Sequence, residues 1–276
     1  MIDSAPVPRL LYGTAWKEER TEALTGLAIS RGFRGIDTAN QRKHYFEAAV
    51  GAAVQSAISR GEVSRAELFL QSKFTFRDGQ DHRLPYEPSA PVAAQVQQSF
   101  ESSLQHFSTD YLDSYVLHGP SSRSGLKRED LEAWRAIEAL VQSGKVRFAG
   151  VSNFSLAQLA ELLKVARVPP RFLQNRCYAR TGWDRAVRRV CAEHGVVYQG
   201  FSLLTANREE LGKNEVKALA ARHGVSVAEL VFAFASRLGM LPLTGTSSAQ
   251  HMQTDLAALD LSLEPAEVQS LEALAG

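Results

Sequence analysis

An α/β protein of the (β/α)8, or TIM-barrel, class is what the sequence predicts, and three observations carry the prediction. Eight short apolar runs alternate with segments of helical period along the chain. No linker, charge block or composition break interrupts the alternation, so residues 1–276 read as one domain. The length of 276 residues suits such a barrel, which takes about 250. An open doubly wound sheet would alternate too, but it would carry a G-x-G-x-x-G turn after a strand, and none occurs.

Taken in order, the first strand is predicted over 9–13, with a helix over 18–31. The run GID at 35–37 is the second strand, and the helix after it covers 46–60. Residues 68–72 form the third strand, and a long polar connection, 75–91, separates it from a helix over 92–106. The fourth strand, 112–117, is followed by a helix over 128–143. The fifth covers 146–151, after which Ser155 and Gln158 form a capping box that starts a helix running to 165. The sixth and seventh strands, 171–174 and 196–200, flank a helix over 185–194. Gly224 closes a helix over 214–223, and Ser226 with Glu229 caps the next, which ends at 238. The eighth strand is 240–244, and Pro265 opens a terminal helix at the position proline tolerates best.

Composition excludes several classes of function. A net charge of +1 without a basic stripe argues against nucleic acid as the main partner. No apolar run approaches the roughly 18 residues that would span a membrane, and the start MIDSAPVPRL lacks the pattern of a signal peptide. Cys177 and Cys191 have neither metal nor CxxC spacing, so both read as structural and suit a reducing compartment. The expectation is a cytoplasmic protein, monomer or dimer, with a small molecule as its partner.

In such a barrel the carboxyl ends of the strands form the active face, so Asp37, Lys73, His118, Asn153 and Gln174 converge there from five strands. A lysine ammonium inside a barrel mouth is costly without a carboxylate, and Asp37 is its natural partner. The pair then holds positive potential beside Tyr45, which ends the polar loop after Asp37; that potential is expected to lower the phenol's pKa and fit it as a general acid. His118, if neutral, can hydrogen-bond the same substrate oxygen. These groups move a proton and bind an oxygen. A cofactor must supply the rest of a carbonyl reduction.

The motifs GTAW (13–16), GIDTA (35–39), HYFEAAVG (44–51), SKF (72–74), LDSYVLHGP (112–120), GKVRFAGVSNF (144–154) and LQN (173–175) resemble the aldo-keto reductase superfamily along nearly the whole chain. The resemblance implies a barrel that binds NADPH, with NADH possible, across its carboxyl face, and a catalytic tetrad of Asp37, Tyr45, Lys73 and His118. It implies that a small carbonyl compound meets Tyr45, His118 and Trp16. Gly13, Thr14 and Asp37 then belong to the cofactor wall. Ser152, Asn153 and Gln174 hold the nicotinamide carboxamide, Phe201 stacks on its ring, and Ser202, Leu204 and Thr205 line the pyrophosphate. The stretch 243–256, with Thr244, Gly245, Thr246, Ser247, His251 and Asp255, matches the adenosine-phosphate loop and the helix after it.

Three departures from the family pattern stand out. Gly245, Thr246 and His251 replace the lysine, serine and arginine that usually grip a 2′-phosphate, which leaves NADPH against NADH open. The loop from Asp37 to Tyr45 is longer than usual. Little chain precedes the first strand for a hairpin under the barrel. The connection over 76–91 reads either as a substrate lid or as a surface excursion. Two other readings also stay open: a cofactor-binding regulatory barrel with little turnover, similar to the β subunits of potassium channels, and a phosphate-handling isomerase.

Overall fold

The computed structural model describes residues 6–274. Eight parallel strands close into a barrel in chain order: β1 (Leu11–Gly13), β2 (Gly35–Asp37), β3 (Phe69–Phe74), β4 (Leu112–Leu117), β5 (Val146–Ser152), β6 (Phe172–Arg176), β7 (Val197–Phe201) and β8 (Leu241–Thr244). The closing pair is β1 with β8, in the register Leu11 to Leu243 and Tyr12 to Thr244. Helices on the outside include α1 (Thr21–Ser30), α2 (Glu47–Ser59), α3 (Val92–Phe107), α4 (Arg128–Gln142), α5 (Leu156–Val165), α6 (Arg185–Glu193), α7 (Arg208–Leu211), α8 (Asn214–Arg222), α9 (Val227–Arg237), α10 (Ala249–Ala257) and α11 (Pro265–Glu272). No single helix among the described residues is long and apolar enough to cross a membrane.

Helix faces follow their sequence period. In α3, Val96, Phe100, Ser103 and Phe107 are buried at spacings of three or four, with Ser99 beside them, and Phe100 packs edge-on against Tyr115 of β4. The capping boxes of Ser155 with Gln158 and of Ser226 with Glu229 form as expected. Gly224 takes φ +66° after α8, the left-handed turn a helix end uses. Gly51 is required for a different reason: a Cβ there would land on the His106 carbonyl, so α2 and α3 touch backbone to backbone.

Several predicted boundaries shift, and at β3, β5 and β6 one cause accounts for the shift. Apolar patterning ends β3 at 72, β5 at 151, β6 at 174 and β7 at 200, whereas the strands run on to Phe74, Ser152, Arg176 and Phe201. Near the active face, side chains that point into the barrel are polar because they meet one another there, so hydrophobicity stops before the ladder does. The first helix also starts late. Trp16 and Glu18 both sit at positive φ, 61° and 51°, and only a 3-10 turn, Glu18–Arg20, precedes α1. The one-turn helix α7 was not predicted, since four residues carry no readable period.

Inside the barrel the side chains stack in layers, as alternation along each strand requires. The floor is aromatic: Phe69 and Phe148 each meet Phe172 edge-on, at 5.8 and 5.7 Å between ring centroids, with Leu11, Leu241 and Val7 around them. Two residues further along β3, β6 and β7 the layer changes to Gln71, Gln174 and Gln199, all buried. Asp37 and Lys73 meet this amide layer from the mouth side.

Candidate active site

Asp37 ends β2 and is fixed by its own backbone. Its carbonyl accepts from both the N–H and the hydroxyl of Thr14, at 3.0 Å each, which ties the ends of β1 and β2. Its Oδ1 accepts from Lys73 Nζ and Gln71 Nε2 at 2.7 Å and from Gln174 Nε2 at 3.0 Å. Lys73 is fully buried, and its ammonium also donates to the Thr38 carbonyl at 2.7 Å. Burial lowers the lysine pKa, and the Asp37 charge opposes that shift. An ammonium has three N–H donors, so one has no protein partner among the described residues.

The loop between β2 and α2 carries Tyr45 to this pair. Asn40 pins the loop, donating from its amide to the Ser99 carbonyl at 3.0 Å, and Tyr45 N–H closes a turn on the Gln41 carbonyl at 3.0 Å. The Tyr45 ring centroid lies 5.2 Å from Lys73 Nζ. It lies 5.8 Å from the His118 ring in an edge-on arrangement. The expectation that the lysine lowers the phenol's pKa is corrected here. Burial comes first and the Asp37 charge second, and both push Tyr45 upward. Tyr45 therefore keeps its proton.

His118 follows β4, with its N–H on the Phe74 carbonyl at 2.9 Å. Its pKa falls well below the usual histidine range, first through burial and then through the charge on Lys73, so the ring is neutral. Nδ1 lies 2.7 Å from Thr75 Oγ1. With the threonine hydroxyl donating to Nδ1, the ring proton sits on Nε2.

A cavity of about 600 Å³ begins at Asp37, Tyr45 and His118 and runs outward along β6, β7 and β8. Its wall includes Gly13, Ser152, Asn153, Gln174, Phe201, Ser202, Leu204, Thr205, Thr244, Gly245, Thr246, His251 and Asp255, as the sequence suggests. Four expected residues are not on it, the first being Lys73, which is fully buried behind Asp37. Thr14 is fully buried behind Asp37, Ser247 is exposed to solvent beside the wall, and Trp16 is 67% exposed and stacks on His44 with 4.1 Å between centroids. At the far end the Ser248 hydroxyl caps α10 by accepting from His251 N–H, leaving a helix N-terminus at the groove. Asp255 is buried there with Thr244 Oγ1 on its Oδ2 at 2.7 Å, and burial raises its pKa to about 6.

Four contributors escape sequence reasoning. Lys17 lines the cavity and donates to the Gly245 carbonyl, bridging its two sides; the only hint is its place directly after GTAW. Thr75 orients His118. Gln71 and Gln199 build the layer beneath Asp37, and each is an amide interrupting an apolar run, in LFLQSKF and VVYQGF.

The connection 75–91 is pinned to the barrel. Tyr86 Oη donates to the Thr75 carbonyl at 2.9 Å, Gln41 Nε2 to Gly79 at 2.6 Å, and Gln80 Nε2 to Asn40 at 2.9 Å. Its first residues line a second cavity of about 520 Å³ that shares His118 and Asn153 with the first and adds Gln41, His44, Arg77 and Glu129.

The model of the Aldo/keto reductase family matches residues 10–275. The glyoxal reductase of Bacillus subtilis (strain 168) is 31% identical over 257 residues, covering 93% of this chain and 83% of that protein. The NAD/NADP-dependent indole-3-acetaldehyde reductase of Schizosaccharomyces pombe is 29% identical over 280 residues, covering 98% and 91%. Among solved structures, the aldo-keto reductase of the silkworm Bombyx mori superposes with a TM-score of 0.83 at 25% identity, covering 98% of this chain and 84% of that one. The closed barrel and the polar cluster at its mouth thus have their counterpart in one family: this chain is a member of the aldo/keto reductases.

Proposed function

We propose that the protein is an NAD(P)H-dependent oxidoreductase that reduces the carbonyl of an aldehyde or ketone to an alcohol. The observation that carries the reading is the meeting of Tyr45, His118 and the Lys73–Asp37 pair at one end of an elongated cavity. The cavity suits a dinucleotide: at about 600 Å³ it lies within the usual range for ligand sites. It is also provided with free acceptors. Asp37 Oδ2 and Gln174 Oε1 have no protein partner among the described residues, although both side chains line the wall.

Reduced nicotinamide supplies the hydride. The chain's own residues hold it and handle the proton. Asp37 Oδ2 would accept from a ribose hydroxyl, the Ser152–Asn153–Gln174 group would hold the carboxamide, and the half-buried Phe201 ring would stack on the nicotinamide; that all five line one cavity supports this. Tyr45 enters each cycle protonated. It gives that proton to the substrate oxygen once hydride addition has made it an alkoxide, a stronger base than a phenolate, so a raised pKa does not impede the step. The neutral His118 offers Nε2–H to the same oxygen and orients it. Lys73, whose ammonium lies 5.2 Å from the Tyr45 ring centroid, supplies the positive charge that would favour the tyrosinate left behind.

The second cavity, which adjoins His118 and carries both polar and apolar side chains, would take the remainder of the substrate. The reading is tested by following NADPH and NADH absorbance against a panel that includes glyoxal, α-keto amides, aromatic aldehydes and quinones. We expect turnover on at least one. Binding of cofactor, seen as quenched tryptophan fluorescence, with no turnover on any member would replace the enzyme by a cofactor-binding barrel.

A further inference from the structure

The amide layer beneath the site does more than fill the barrel. Gln71, Gln174 and Gln199 come from β3, β6 and β7, and the first and last are 128 residues apart. Gln71 and Gln199 are completely buried. One layer lower, the same three strands contribute Phe69, Phe172 and Val197, so apolar side chains satisfy the packing at that depth. Burying primary amides costs free energy unless every donor and acceptor is met. Here the demands of Asp37 dictate how they are met.

An ionised carboxylate only accepts, so the atoms of Gln71 and Gln174 that face Asp37 Oδ1 are their Nε2 nitrogens. Both nitrogens then donate again to Gln199 Oε1, at 2.8 and 2.9 Å. Gln199 Nε2 returns a bond to Gln71 Oε1 at 3.0 Å. The ring uses both N–H groups of Gln174, which leaves its Oε1 as the free atom on the cavity wall. It also fixes Asp37 by Oδ1, which leaves Oδ2 free. Two acceptor oxygens are thereby set in place at the inner end of the groove.

We propose that Gln71 and Gln199 are positioning residues: acting through Gln174 and Asp37, they orient the acceptor oxygens that receive the nicotinamide half of the cofactor. This rests on the reading of the groove as an NAD(P)H site. Without Gln199 Oε1, one N–H of Gln174 loses its partner and the amide is free to turn. Without Gln71, Asp37 keeps only Lys73 and Gln174, and the ring opens.

The test compares two ligands. Gln199→Met and Gln71→Met keep side-chain length and remove the bonds. Dissociation constants are measured by fluorescence or calorimetry for NADPH and for 2′-phospho-ADP-ribose, which lacks the nicotinamide. We expect NADPH to weaken by about ten-fold or more, the scale of one hydrogen bond and its unsatisfied partner, while the truncated ligand changes by less than about three-fold. Gln199→Glu supplies the check if a methionine variant fails to fold. A protonated carboxyl reproduces one acceptor and one donor, so NADPH affinity should approach wild type at low pH and fall as that carboxyl ionises beside Asp37. Unchanged NADPH binding in the variants, equal loss of both ligands, or a pH response in Gln199→Glu no steeper than that of wild type would overturn the proposal. Failure of the underlying reading looks different, because wild type itself would then bind neither ligand, and the proposal would fall with it.

Discussion

Removing the Lys73 ammonium should cost both fold stability and catalysis, and the structure sets the scale. In Lys73→Met the Asp37 carboxylate stays buried with only the two glutamine amides on Oδ1, and the Thr38 carbonyl loses its ammonium donor. Breaking one side of a buried, hydrogen-bonded ion pair costs about 3–5 kcal/mol. For a chain of this size, at roughly 2–4 °C per kcal/mol, the midpoint of thermal unfolding should fall by roughly 6–20 °C. Asp37→Asn together with Lys73→Met removes the stranded charge, and an asparagine oxygen still accepts from Gln71 and Gln174. The double variant should therefore recover at least about 2 kcal/mol relative to the sum of the single changes, while both backgrounds remain nearly inactive. Circular dichroism melts and urea titrations measure the cycle. Additive losses, or a Lys73→Met cost below about 1 kcal/mol, would refute the pairing as the anchor of this site.

Thr75→Val deletes the hydroxyl that hydrogen-bonds His118 Nδ1; we expect kcat/KM to drop by about ten-fold, the worth of one hydrogen bond, with cofactor affinity unchanged. Because His118 is held neutral, wild-type turnover should not fall as pH drops through the ordinary histidine range, which a kcat profile will show. Asp255 has its pKa raised from 3.8 to about 6, so the folded state binds its proton more tightly than the unfolded chain does. Its contribution to stability is therefore present at acid pH and lost as pH rises from about 4 to about 6; above that window the ionised carboxylate adds negative charge at the adenosine end of the groove. Calorimetric titration should find NADPH binding weaker at neutral pH than at pH 5, and flat in Asp255→Asn. Gly51→Ala forces α2 away from the His106 carbonyl and should destabilise by about 3 kcal/mol or more, the upper range for overpacking, measured by urea unfolding.

Much of the barrel is legible because a strand buried on both faces is rich in apolar residues, as β4 is with Leu112, Tyr115, Val116 and Leu117 beside the buried Asp113 and Ser114: 112–117 in the sequence is Leu112–Leu117 in the structure. Legibility fails where strand side chains turn polar, whether inside the barrel or against the helices and loops around it. Ser72, Ser152 and Asn175 look like the ends of strands, yet each is a ladder residue with a buried partner: Glu47, the Gln174 carbonyl and the Phe154 backbone. Asp37, Tyr45, Lys73 and His118 could be singled out because their motifs carry a family resemblance. Gln71 and Gln199 could not, since a lone amide in an apolar run gains meaning only when closure of the barrel sets it against another far along the chain. The polar connection 75–91 reads from composition as either a lid or a surface excursion; what composition does not show is that Gln80 and Tyr86 are buried and tie it to the mouth, while residues such as Arg77, Asp78 and Arg83 stay exposed.

The proton step is the centre of the account, and Tyr45→Phe isolates it. The substitution keeps the ring that packs near Lys73 and His118 and removes only the hydroxyl. Rapid mixing of the cofactor-loaded variant with an accepted aldehyde should show NADPH bound within about three-fold of wild-type affinity and single-turnover reduction slowed by about 10²–10⁴, the range for loss of a general acid. Reduction within about ten-fold of wild type, on the same scale of general-acid effects, would mean that the proton comes from another group.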